Sequence, residues 1–279
     1  MINRRIFLAL SSAGVTGLIF PRLARGQPVS LASVRAAGEL KIGCEAAYVP
    51  FTYRDQGKIV GYDVDLCEIF CRSLGVKANL IDTAWAGVIP SLYAKKFDII
   101  VTSMIRTKER AERVAFSIPY AEATYAMLIR AGDASAIRNV NDLNGRVVAV
   151  KLGSVGQVLQ EKVQASLKAS GGQGFKEVRI FDDHPSAYVA LAQNRVDTVW
   201  NSIGALAIVL KDAPGKYAIV KGLADDAWAG IAARKEDVEI VSFLDSEIRR
   251  LKANGEIYKL QEKWFGLRMT LPDAWPALA

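Results

Sequence analysis

Arg110 can hold an anion, because a guanidinium presents its donors in a planar fork that matches a carboxylate. Gly153-Ser154-Val155 is a second anion-favouring element. It lies between a β-branched run and a helical pattern, where free main-chain N–H groups can face a ligand. A second reading of Arg110 stays open. Arg106, Lys108, Glu109 and Arg113 surround it, as on a solvated helix with surface ion pairs. Other chemistries find less support. Cys67 and Cys71 are four apart, which a metal could use, but they share a helical stripe with Val64 and Leu74 that suits small buried hydrophobes. The single histidine, His184, precedes Pro185 at a helix start, and no nucleophile-elbow sequence accompanies it. Glu45, Asp182 and Asp183 are the acids a proton-transfer mechanism would draw on, and nothing in their spacing singles one out. No GxGxxG or GxxxxGK[ST] loop and no zinc pattern occurs, so no cofactor and no metal are expected.

Positioning such groups needs a scaffold of alternating strands and helices. Leu40–Cys44 reads as a strand. Asp63 is expected to cap a helix that runs to Leu74 and ends at Gly75. Strands at Ala78–Ile81 and Asp98–Thr102 flank a helix from about Ala86 to Ala94. A second set starts at Arg146–Val150 and continues with a helix to about Lys168 and strands at Val178–Phe181 and Val196–Trp200. The order implies two α/β units, each a mostly parallel sheet with helices on both faces. The tail is helical from Asp237 to Ala253 and again from Ile257 to Phe265, where Tyr258, Leu260, Trp264 and Phe265 must pack on something. A tail returning to the first unit would set two chain crossings side by side, and such a pair makes a hinge.

Composition bounds the setting. Half of the 279 residues are apolar, enough for substantial cores. The first residues read as an export signal: paired Arg4-Arg5, an uncharged run from Leu8 to Phe20, and Ala24-Arg25-Gly26 before a cut near Gln27. The paired arginines point to the twin-arginine route, and the apolar run is shorter than the ~20 residues of a spanning helix. Residues 1–26 carry four of the 36 basic residues and none of the 29 acidic ones, so the remainder carries +3 rather than +7. With no basic stripe interleaved with aromatics, nucleic acid is not an expected partner. Three cysteines do not make a disulfide framework.

A set of segments, in order, resembles the polar amino-acid binding proteins of ABC importers (solute-binding family 3). Ile42-Gly43-Cys44-Glu45-Ala46-Ala47-Tyr48-Val49-Pro50-Phe51 is similar to the family's opening segment, and Gly61-Tyr62-Asp63-Val64-Asp65-Leu66 to the next. Trp85-Ala86-Gly87-Val88-Ile89-Pro90, Lys108-Glu109-Arg110 with Phe116-Ser117-Ile118-Pro119-Tyr120, Asn194-Arg195-Val196-Asp197 and Lys263-Trp264-Phe265-Gly266 complete the series over about 38–268. The resemblance implies the bilobal type II periplasmic binding fold with lobe 1 at 27–125, lobe 2 at 126–222 and a return to lobe 1 at 223–279. It places hinge segments near Ala123–Leu128 and Lys221–Trp228. It implies a non-enzymatic, monomeric periplasmic protein that delivers a small carboxylate solute to an inner-membrane ABC permease. It assigns Arg110 to the ligand carboxylate, with Ser103 and Ser154 as further donors. Tyr48 and Trp85 would flank the ligand, Phe51 would be wall or core, and Glu45 would reach the ligand side chain or stay a solvated acid.

Three departures from the family bear on the ligand. Ser202 stands where many relatives place the carboxylate that holds an α-ammonium. Ile105 and Val155 stand where hydroxyl residues are usual. Either the ligand lacks an α-ammonium, as a keto acid or hydroxy acid does, or Asn201, Glu45 or Asp182 holds it in a shifted pose. Two other functions share the fold: a periplasmic dehydratase of the cyclohexadienyl or arogenate type, and an accessory protein of a periplasmic redox enzyme, whose mark would be an enlarged apolar cavity.

Overall fold

Ile99–Ile105 is buried along its whole length, without the alternation of a half-exposed strand, so it must lie in a sheet covered on both faces. It does so in a computed structural model that describes residues 28–277; the export segment read at 1–26 lies outside the described residues. The chain begins with α1 (Leu31–Ala37), β1 (Glu39–Cys44) and a small antiparallel sheet of β2 (Ala47–Tyr48), β3 (Thr52–Asp55) and β4 (Lys58–Val60). Then come α2 (Tyr62–Leu74), β5 (Lys77–Asp82), a 3-10 turn at Trp85–Gly87, α3 (Val88–Tyr93), β6 (Ile99–Ile105), α4 (Lys108–Arg113), β7 (Ala115–Phe116) and β8 (Ala121–Glu122). A second body holds β9 (Tyr125–Arg130), β10 (Val147–Lys151), α5 (Val155–Ala169), β11 (Glu177–Phe181), α6 (His184–Ala192), β12 (Thr198–Ser202), α7 (Ile203–Asp212) and β13 (Tyr217–Val220). The chain returns with β14 (Trp228–Ala233), α8 (Val238–Ala253) and α9 (Glu256–Phe265).

The first sheet runs β5-β1-β6-β14-β7, with β8 also on β14, and the second runs β11-β10-β12-β9-β13. Each has a parallel half, and each differs from the sequence expectation in the same way. β14 is antiparallel to β6, and β9 is antiparallel to β12. These are the strands that enter each body straight from the crossing between bodies. A parallel neighbour needs a crossover helix, and neither strand has one before it. The two crossings lie side by side: the Ala123 N–H donates to Ala227 O at 2.7 Å, and the Ala227 N–H to Thr124 Oγ1 at 3.0 Å.

The start of α2 departs from the reading of Asp63 as its cap. The cap position is Gly61, at φ 137°, and a Cβ there would lie 2.1 Å from Phe51 O. That close approach draws Asp63 inward, where its carboxylate accepts from Thr52 Oγ1 at 3.3 Å and burial pushes its pKa up to about 7. Gly75, at φ 75°, ends the helix as expected. Cys67, Cys71 and Leu74 are buried on its inner face, and burial pushes the Cys71 thiol up to about 12. Phe265 of α9 packs on Phe51 and Tyr62, with ring centroids 5.0 and 5.3 Å apart, so the aromatic tail closes the first core. Among the described residues no helix is long and apolar enough to cross a membrane.

Candidate functional site

The carboxyl ends of the parallel strands in the two bodies face one another, which is where open α/β sheets place ligands. From the first body come Glu45 and Tyr48 after β1, Trp85 after β5, Ser103 and Ile105 at the end of β6, and Arg110 on α4. From the second come Tyr125 on β9, Lys151 closing β10, Ser154 capping α5, His184 opening α6 and Ser202 closing β12. Between them lies a chamber of only about 20 Å³. Outside it, a groove of about 540 Å³ opens between α4 and α5, with Lys108, Arg113 and Lys162 along its lining.

Arg110 joins the two bodies. Its Nη1 donates to Ile105 O at 2.9 Å and its Nη2 to Gly153 O at 3.0 Å. The guanidinium carbon lies 4.9 Å from the centre of the Trp85 ring, and Trp85 Nε1 also donates to Gly153 O, at 3.0 Å. Both fork partners are main-chain carbonyls, so the surface ion pair that the spacing allowed is not formed. Burial lowers the Arg110 pKa from its usual value. Ser103 sits beside it in the left-handed region, at φ 49°, with its N–H on Tyr120 Oη at 2.8 Å and its buried Oγ without a partner. A non-glycine residue held there stores strain, and such residues cluster at functional sites.

A second pair spans the cleft. Lys151 Nζ meets Glu45 Oε2 at 2.5 Å, with Lys151 3% and Glu45 5% exposed. The ammonium lies 4.8 Å from the Trp85 ring centre and 5.1 Å from that of Tyr48, a cation–π setting. Desolvation lowers its pKa, against the pull of Glu45. Tyr48 Oη donates to Asn201 Oδ1 at 3.1 Å and lies 2.9 Å from Ser202 Oγ. His184 stacks on Tyr48 and on Tyr188, and its ring bonds the Trp200 main chain. Burial first, and then the Lys151 cation, hold its pKa well below the usual range.

Tyr48, Trp85, Ser103, Ile105, Arg110, Ser154 and Val155, all named from the sequence, line the chamber. Glu45 reaches it through Lys151, and Ser202 through Tyr48. Phe51 does not line it: the ring is fully buried against Tyr48 and Phe265, as core. The Gly153 turn also differs from expectation, because the Gly153 N–H is taken by Gln157 Oε1 at 2.7 Å and the Ser154 N–H by Lys151 O at 3.1 Å. Lys151, His184 and Tyr125 line the chamber and were not singled out as ligand groups. The signal for Lys151 was its place at the carboxyl end of a strand just before the Gly-Ser turn.

Similarity to known proteins agrees with this geometry. The model of the bacterial extracellular solute-binding proteins, family 3, matches residues 40–267. The L-cystine-binding protein TcyJ of Escherichia coli K12 is 29% identical over 242 residues, covering 86% of this chain and 87% of that one. The L-arginine-binding protein of Pseudomonas aeruginosa is 31% identical over 245 residues, covering 85% and 92%. Among solved structures, an ancestral amino acid-binding protein described as a precursor of cyclohexadienyl dehydratase superposes with a TM-score of 0.77 at 30% identity, covering 84% of this chain and 99% of that one. A mutant of the ArgBP of T. maritima superposes with a TM-score of 0.75 at 33% identity, covering 85% and 100%. Matched over most of its length by this family's model, the chain belongs to the bacterial extracellular solute-binding proteins, family 3.

Proposed function

We propose that the protein works outside the cytoplasm, where it captures an amino acid or a related small carboxylate between its lobes and hands it to the permease of an ABC importer. The lobes are taken as 27–125 with 223–279, and 126–222, and they close about the paired crossings. The observation that carries the reading is Arg110: a guanidinium on the chamber wall that bonds carbonyls from both lobes and no carboxylate. A ligand carboxylate would complete its charge, with Ser103 Oγ as a further donor. Binding that favours the closed arrangement would drive the lobes together. Thermal shift of the purified protein against amino acids, keto acids and hydroxy acids tests this. A ligand at 100 times its dissociation constant adds about 2.7 kcal/mol. No shift with any small acid would overturn it.

One similarity favours a second reading, since a structural relative is described as a precursor of cyclohexadienyl dehydratase. The local acids do not suit it: Glu45 is bonded to Lys151, Asp183 caps α6 through the Ser186 N–H, and Asp182 is exposed. Turnover of prephenate or arogenate would decide for it. The accessory-protein reading expects an enlarged apolar cavity; the chamber of about 20 Å³ is not one, and the apolar pocket of about 290 Å³ that lies behind Tyr48 and His184 is separate from the Arg110 side of the cleft.

A further inference from the structure

We propose that Lys151 makes this cleft selective for a monocarboxylate without an α-ammonium, bearing instead an oxygen acceptor on the neighbouring carbon: a 2-oxo or 2-hydroxy acid. The inference rests on the capture function above and names its ligand class. Two cations and one anion converge on the chamber. Arg110 and Lys151 both lie within 5 Å of the Trp85 ring centre, at 4.9 and 4.8 Å. Glu45 is bonded to Lys151 at 2.5 Å. Among the groups in direct contact one positive charge is left over, with Asp183 attracting Lys151 only from farther off, and a single carboxylate on Arg110 balances that charge where a zwitterion does not. A buried charge without a partner is costly, so this count acts as a filter.

The groups that might accept from an ammonium are already committed. Asn201 Oδ1 takes the Tyr48 hydroxyl at 3.1 Å and the Ser202 N–H at 2.8 Å. Asn201 Nδ2 donates to Tyr188 Oη at 2.8 Å, and Ser202 Oγ, which donates to Tyr48 Oη, lies behind that ring and off the chamber lining. Glu45 has the Lys151 ammonium against it, and a second ammonium there would share one carboxylate between two cations. The groups that remain suit an oxygen. Lys151 carries three donors. Ser103 Oγ is buried on the chamber wall without a partner. His184, held neutral by burial and by Lys151, spends its ring N–H on the Trp200 main chain and adds no charge to the chamber wall.

Calorimetry on the whole protein with matched pairs tests the assignment: pyruvate against alanine, 4-methyl-2-oxopentanoate against leucine, phenylpyruvate against phenylalanine, and lactate as the hydroxy acid. In the best-bound pair, the oxo or hydroxy acid is expected to bind at least 100-fold more tightly than its amino partner. Lys151→Met should weaken that binding at least tenfold, and the Lys151→Met, Glu45→Gln double variant, which leaves no lone buried carboxylate, should do the same. Equal or tighter binding of the amino acids would overturn the inference and leave the capture function standing. Unchanged oxo-acid affinity in the folded double variant would overturn the role of Lys151. Silence from both series would bring down the capture function and this inference together.

Discussion

Lysine in place of Arg110 would keep the charge and lose the fork. The guanidinium holds Ile105 O and Gly153 O with separate nitrogens and still faces the chamber, which a single ammonium on a flexible stem cannot do. Charge-assisted hydrogen bonds contribute about 1.5–3 kcal/mol each. Arg110→Ala is therefore expected to weaken ligand binding by on the order of 100-fold or more, and Arg110→Lys by at least about tenfold, with a cooperative fold kept in both. Titration calorimetry checks it, and undiminished affinity in both variants would reduce Arg110 to a tie between lobes. At this scale Arg110, Trp85 and Tyr48 were legible through the family resemblance, since spacing alone left Arg110 open to a surface ion pair and both rings open to the core. Lys151 was not, because a lysine ending a strand looks like an exposed terminus until the facing lobe covers it. Phe51 was ambiguous for the opposite reason, since a ring that walls a pocket and a ring that fills a core have the same neighbours in sequence.

Element starts and stops were read well where the local rule acted alone. Gly75 after α2 and Ser154 before α5 fall where helix-ending and helix-starting chemistry puts them. The start of α2 was read one way and built another, because the contact of Gly61 with Phe51 O is a tertiary fact that no local pattern carries. Its consequence is testable through pH. Burial raises the Asp63 carboxyl from 3.8 to about 7. Between those values the folded protein keeps a proton that the unfolded chain has lost, so stability from this group falls as pH rises from about 4 to about 7. Below the window both states are protonated; above it both are ionised, and the loss is complete. Asp63→Asn keeps the shape and removes the ionisation. The parent protein should lose more melting temperature than Asp63→Asn between about pH 5 and about pH 7.5. Parallel profiles for the two proteins would mean that Asp63 does not titrate in that window.

For the whole molecule, the contacts that close the cleft also govern how it opens. A chamber of about 20 Å³ has room for about one water, so an amino-acid-sized solute enters only with the lobes apart. Opening breaks the Arg110–Gly153, Trp85–Gly153, Tyr48–Ser202 and Lys151–Glu45 contacts. It also returns two buried charges to water, and the hydration they regain offsets much of the lost attraction. In the proposed capture step, a carboxylate on Arg110 would add to the contacts that favour closure. The paired crossings, bonded at Ala123–Ala227, are where the proposed motion would turn. Small-angle scattering is expected to give a larger radius of gyration for the free protein than for the protein saturated with its best ligand. Glu45→Gln weakens the Lys151 tie and should favour the open form further, so its free radius should equal or exceed the parent's. A free protein whose scattering already matches the closed structure, and does not change with saturating ligand, would rule out closure as the capture step.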